Sequence, residues 1–201
     1  MPFRPHRVTR LLAAALCAAG CARGPRLPAP RTAAPAPDVG PCAAVAAALD
    51  SLVPARAGAR LALGESAAAL PARAYAELES SVPGLDPTAW AAFVARSRAP
   101  GPACRTLPTA RPVVLVPDRV LRALPGGDPE AYWAAFRRRY PGAAGLTRAS
   151  AVGESADGRQ ALLVVSHGCG GVCGGGYVVL LGRGRPGDAW RVRYARMLWV
   201  S

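Results

Sequence analysis

The chain contains no lysine, no asparagine and no isoleucine, and its only histidines are His6 and His167. Each absence removes a class of chemistry. Without Lys there is no phosphate-loop lysine, no Schiff base and no pyridoxal chemistry. Without Asn there is no N-glycosylation sequon. Two histidines exclude a His-rich metal centre and a His-Glu-x-x-His protease. What remains is rich in Ala, Gly, Pro and Arg, the signature of a strongly GC-biased genome. All 25 basic residues are therefore Arg; with 12 acidic residues they give a net charge of +13, part of which is a codon effect. A length of 201 residues suits one domain of ordinary size with a tail.

The first twenty residues read as an address. Arg4, Arg7 and Arg10 precede the apolar run Leu11–Ala19, and no acidic residue interrupts them. Such a run rises about 14 Å as a helix, too short for a hydrocarbon core of about 30 Å, and its basic flank marks a secretory signal. The junction Leu16-Cys17-Ala18-Ala19-Gly20-Cys21 resembles the bacterial lipobox, in which small residues precede a lipid-modified Cys that becomes the mature N-terminus. It departs from that pattern at Ala18, where Leu is preferred. The resemblance makes Cys21 the lipidation site and residues 1–20 a lipoprotein signal peptide; an ordinary signal peptide cut near Ala22 is the alternative. Residues 21–41 are Pro/Ala-rich with little to bury, and form an extended spacer of roughly 60 Å at full stretch. Residues 42–201 are then the globular domain, an exported domain held off a membrane. Losing Arg4, Arg7 and Arg10 with the signal, and Arg23, Arg26, Arg31 and Asp38 with the spacer, leaves it 19 Arg against 11 acidic residues.

Export decides how the cysteines are read, because an oxidising compartment favours disulfides. Cys42, Cys104, Cys169 and Cys173 remain after the leader, and four cysteines allow three pairings. Cys169 and Cys173 would lie about 13 Å apart along one continuous strand, but within bridging distance across a Gly-rich turn. Strand-like runs on both sides favour the turn. The expected bridges are Cys169–Cys173 and, by elimination, Cys42–Cys104.

Helical signals dominate the first two thirds. They cover Cys42–Val53, Pro71–Ser80 with Tyr75 and Leu78 inward, a helix opened by Asp86-Pro87 and one opened by Asp128-Pro129. Trp90, Phe93 and Val94 share one face of the third; Tyr132, Trp133, Phe136 and Tyr140 line the fourth. Arg60–Gly64 and Arg111–Val116 read as short strands and Asp118–Leu124 as a helical turn or two. Beyond Pro141-Gly142 the period becomes strand-like, through Leu146–Val152, Ala161–His167 and Tyr177–Arg183. Trp190, Val192 and Tyr194 alternate with Arg191 and Arg193, while Met197 and Trp199 have the opposite parity. That change predicts a bulge near Ala195–Arg196. Helices first and hairpin-linked strands afterwards predict an α+β domain, N-terminal helices packed on a C-terminal antiparallel sheet.

The string from Tyr132-Trp133 through His167-Gly168-Cys169-Gly170-Gly171-Val172-Cys173-Gly174, Trp190-Arg191-Val192 and the closing Trp199-Val200-Ser201 resembles a group of uncharacterised bacterial exported proteins. These end in a CGxLCGxG hairpin, a W-x-V strand and a W-[IV]-S terminus. The resemblance covers roughly residues 86–201, with Val172 where Leu is usual. It implies architecture and brings no activity.

His167 and Cys169, two apart on a strand, point to one face, and Cys173 across the turn would complete a three-ligand soft-metal or thiol redox site. A disulfide consumes both thiolates, so the plainer reading is a structural bridge beside a histidine. The spacing is also CxxxC between strands, not CxxC at a helix N-terminus. The hairpin lacks the last Gly of a dinucleotide loop and the helix that should follow it, so its glycines are assigned to positive φ and close backbone approach. Ser166 has no nucleophile elbow. Glu65, Glu77, Glu79, Glu154 and Asp157 would serve a hydrolase only if the fold paired them. Arg137, Arg138 and Arg139 form the densest positive run, suited to a solvated helix end or to contact with anionic lipid or polysaccharide. The expected protein is thus a cell-envelope lipoprotein acting as a non-enzymatic binding or structural module. No cofactor is implied, and its partner is the membrane through the N-terminal lipid, not nucleic acid.

Overall fold

Seven strands form one mixed sheet in the order β2-β1-β3-β5-β6-β7, with β4 paired to β5. The computed structural model describes residues 40–53, 58–68, 70, 72–98, 104 and 106–201. Residues 1–39, on which the expected signal peptide, the expected lipidation site Cys21 and most of the expected spacer fall, lie outside them. In chain order the elements are α1 Pro41–Leu52, β1 Arg60–Gly64, α2 Ala72–Ser81, α3 Pro87–Arg98, β2 Val113–Val116, α4 Asp118–Arg122, α5 Pro129–Arg139, β3 Ala143–Ala149, β4 Gly153–Glu154, β5 Gln160–Gly170, β6 Cys173–Gly182 and β7 Arg191–Val200. The α+β expectation is met. The C-terminal strands β3 to β7 are antiparallel, and β1 and β2 add a parallel edge through the β1–β2 and β1–β3 pairs.

The centre of the sheet explains the layering. Ala161–Val165 of β5 and Val178–Leu181 of β6 are buried at every position, so both faces need a cover. Alternation sends Leu163, Val165, Val179 and Leu181 to one face, where α1 contributes Ala44, Val45, Ala48 and Leu49. Leu162, Val164, Val178 and Leu180 face the other way, against Leu78 and Phe93 of α2 and α3. On that second face Ala62 and Val116 also meet Leu121 and Phe136, so α4 and α5 cover the β1–β2 end. Fully burying each such Leu or Phe contributes about 1.5–3 kcal/mol.

Local chemistry sets the helix ends. Asp86 Oδ1 accepts from the Thr88 amide at 2.7 Å and Asp128 Oδ1 from the Glu130 amide at 2.9 Å, satisfying first-turn donors. Arg111 closes α1 from a distance of sixty residues. It donates to the Leu49 and Val53 carbonyls and pairs with Asp50 at 3.0 Å, placing a cation at the negative end of the helix. The α3 helix lies so close to β4 that a Cβ on Gly153 would come within 2.3 Å of the Ala89 carbonyl oxygen and the Phe93 amide.

The last strand departs from expectation. It runs unbroken past Ala195–Arg196, and its register against β6 shifts instead opposite Leu180/Leu181 and Gly176/Tyr177. The first shift reverses parity: Val192 pairs with Leu181 and joins the α1 face, whereas Tyr194 pairs with Leu180 and joins the α2–α3 face.

Both disulfides form as expected. Cys42 is bridged to Cys104 with Cα atoms 5.6 Å apart, tying α1 to the segment before β2. Cys169 is bridged to Cys173 with Cα atoms 5.1 Å apart. On the chain-entropy argument the long loop contributes about 4 kcal/mol and the short one about 2. Replacing both Cys42 and Cys104 by Ser should therefore lower the thermal midpoint by on the order of 10 °C, against a smaller loss for the Cys169/Cys173 pair. Calorimetry on the two double variants checks the order, and equal losses would contradict it.

Candidate functional site

Two regions of the domain bring together side chains capable of chemistry. The first is the β5–β6 hairpin. Its strands pair down to Gly170–Cys173, leaving Gly171 and Val172 at the tip, with a register shift at Cys169. A Cβ built on Gly145 of the neighbouring strand would come 2.8 Å from His167 Cε1 and 3.0 Å from Cys169 Cβ, so these two side chains do share a face. The glycines of the hairpin do not serve positive φ, however: among the described residues the left-handed glycines are Gly40, Gly58, Gly84, Gly127, Gly142, Gly158 and Gly187, all elsewhere. Their use is close approach. Trp133 of α5 rests on Gly168, and the Trp199 indole covers Gly176, where a Cβ would meet its Nε1 at 2.1 Å.

His167 is mostly enclosed, and its Nδ1 is 2.9 Å from Oγ1 of the fully buried Thr147. Burial, with a smaller contribution from the Arg111 charge, pushes its pKa below the usual histidine value. Both cysteine sulfurs are occupied by the bridge. Among the described residues no group of three His, Cys, Asp or Glu side chains is placed to hold a metal ion. Arg137, Arg138 and Arg139 stand exposed on the last turn of α5, on their own and apart from the hairpin.

The carboxylates weighed for a hydrolase go to separate tasks. Glu154 approaches Arg183 at 3.6 Å, and Asp157 accepts from Ser155 at 2.6 Å within a turn. Glu65 accepts from the Asp118 amide at 3.2 Å, and Ser66 hydrogen-bonds the Asp118 carboxylate. Glu79 is exposed.

The second region was not singled out from the sequence. A groove of about 660 Å³ opens on the α2–α3 face of the sheet, between α2 and the C-terminal half of β7. Arg148 of β3, Ser166 of β5 and Arg196 of β7 reach it, along with Leu78 and Glu77 of α2 and Leu198 and Trp199 of β7. The segment 67–70 before α2 closes its remaining side with Ala67, Ala68 and Leu70. Arg196 has no hydrogen bond or ion pair among the described residues, and its Nε is sealed from solvent without a partner. Arg148 Nε is in the same condition, its one ion pair being Asp118 at 3.9 Å. The only sequence signal for this site was strand parity, since the two arginines lie 48 residues apart in no motif.

The chain matches no family model, no curated protein and no solved structure. Function must therefore be argued from the sites themselves.

The His167 environment has a consequence for pH. The unfolded chain takes up a proton near the ordinary histidine pKa of about 6.5, whereas the folded protein resists it to a lower pH. The unfolded state then binds more protons in that window. Stability from this group is complete above about pH 6.5 and is lost as pH falls through the folded value. Denaturant midpoints measured between pH 7.5 and 5 should fall more steeply in the wild-type chain than in H167Q. Parallel profiles for the two would contradict the assignment.

Proposed function

We propose that the protein is a bacterial cell-envelope lipoprotein, anchored through a lipid on Cys21, whose domain of residues 42–201 acts as a non-enzymatic binding or structural module outside the cytoplasm. The observation that carries the compartment is the pairing of all four cysteines downstream of Cys21 into two bridges. Disulfides persist in oxidising compartments and are rare in the cytosol, so the bridges are compatible with export. No helix among the described residues is long and apolar enough to cross a membrane. The anchor is thus assigned to the lipobox-like junction at Cys21, with residues 22–41 as the spacer that carries the domain away from the headgroups. A diacylglycerol carries two acyl chains, which hold a protein far more firmly than one chain would.

The domain's basic surplus fits this setting. With Arg137, Arg138 and Arg139 exposed at one helix end, it meets anionic headgroups or envelope polymers at short range, and salt weakens that contact. The binding reading rests on the groove between α2 and β7, whose size suits a small ligand and whose lining includes Arg148, Ser166 and Arg196 from three strands.

Intact-mass spectrometry of protein extracted from membranes tests the anchor. The expected species begins at Cys21 and carries the mass of a diacylglycerol-derived modification, and C21S moves the protein to the soluble fraction. A mature form with an unmodified N-terminus would overturn the anchor and leave the domain reading standing.

A further inference from the structure

We propose that the groove between α2 and β7 binds a sugar chain, with the Trp199 indole as the platform under one pyranose ring and Glu77, Ser166 and Arg196 hydrogen-bonding its hydroxyls. The inference deepens the binding-module reading and rests on it; it does not depend on the lipid anchor.

The strand register builds the platform. Gly176 pairs with Ser166 across the β5–β6 ladder, and Ser166 shares its side of β5 with Leu162 and Val164, the side that α2 and α3 cover. A Cβ on Gly176 would stand 2.1, 2.6 and 2.8 Å from Nε1, Cε2 and Cδ1 of Trp199. Three adjacent ring atoms at such similar distances put the glycine under the face of the indole, not beyond its edge. Trp199 is nonetheless 46% exposed and lines the groove, so the opposite face of the ring is turned outward, beside Val164 and Ser166. Glycine is required here because any side chain would lift the ring off the sheet. A pyranose ring carries one face of C–H bonds. The negative π face of an indole attracts such C–H groups, and stacking removes both apolar surfaces from water.

The polar lining decides between a sugar and an ion. Glu77 stands on α2, Ser166 on β5 and Arg196 on β7. Among the described residues the Glu77 carboxylate and the Arg196 guanidinium have no hydrogen bond or ion pair. Arg196 Nε is sealed, so the Nη groups are the donors it offers. Arg148 is turned to Asp118 at 3.9 Å and takes no part. An anion would suit Arg196 but meet Glu77; an organic cation would suit Glu77 but meet Arg196. A hydroxyl both donates and accepts, so a neutral polyol satisfies a carboxylate, a guanidinium and a serine in one groove. The volume of about 660 Å³ is that of a small-ligand site, and the groove is not enclosed, so a longer chain can run on beyond it.

The test is isothermal titration of the exported full chain, carrying C21S so that no detergent is needed. The probes are chitotriose, cellotriose, maltotriose and mannotriose, with benzyl alcohol, tetramethylammonium and acetate as controls. Saturable binding of at least one trisaccharide is expected, unchanged between about 50 and 500 mM salt because the ligand is neutral. W199A should weaken it about tenfold or more, and W199F, which keeps a smaller π face, by less. R196Q should weaken it several-fold, and R137Q should leave it intact. Thermal midpoints of the variants establish that they fold. A control binding more tightly than every trisaccharide overturns the sugar assignment and leaves a binding module of other specificity. Trisaccharide binding that salt weakens steeply overturns the neutral-ligand argument. Trisaccharide binding that W199A and W199F leave unchanged places the chain elsewhere and overturns the site. Failure of every probe to bind saturably sinks the sugar class together with the binding-module reading.

Discussion

The β5–β6 hairpin, buried on both faces over most of its length, is the constraint from which the rest of the domain follows. A sheet whose two central strands present Leu, Val and Ala to either side cannot leave one face to water, and it collects helices on both. The α1 helix answers one face, and α2 to α5 answer the other in two groups. Those two groups cover different parts of a twisted sheet, and the groove with Arg148 and Arg196 lies on the face they share. The groove is bounded by one helix, α2, and by the exposed side of β7, the edge strand that no helix of this face covers along its C-terminal half.

Close approach is the second organising feature. The protein uses glycine at Gly153 to bring α3 onto β4, and at Gly168 and Gly176 to seat two indoles on the sheet. A side chain at any of these would push the covering element outward. The Gly-rich hairpin is therefore a packing surface, and its disulfide closes the end of a ladder that already pairs residue by residue. His167 is held in that surface, bonded to Thr147, with its pKa lowered by burial. Its surroundings are those of a structural histidine: one satisfied nitrogen, an enclosing sheet and a nearby oxidised pair.

Much of the fold was legible in the residues. The Asp-Pro openings located α3 and α5 because an Asp cap followed by a Pro at the first helical position has few other uses. The strand Arg60–Gly64 and the start of β5 followed from short apolar runs, and both disulfides from spacing and elimination. The misreadings share a cause. Local pattern reads the hairpin glycines as serving positive φ as well as close approach, and puts the β7 bulge at Ala195–Arg196; only the close approach is found, because local pattern does not reveal what lies across the sheet. Trp199 over Gly176 and the shifts opposite Leu180 and Gly176 are properties of the pair of strands, not of either one.

The sequence by itself determined the fold class, helices then strands, with four cysteines to pair and no lysine chemistry. These depend on composition, period and short-range spacing, which a linear chain carries in full. Only the tertiary structure decided the parallel edge of the sheet, the separate partners of Glu65, Glu154 and Asp157, and the groove beside α2. Those depend on which faces of distant elements are left over once the core is covered. Burial is settled over the whole domain at once, so residues of α2, β3, β5 and β7 come to line one groove without any local signal that they will.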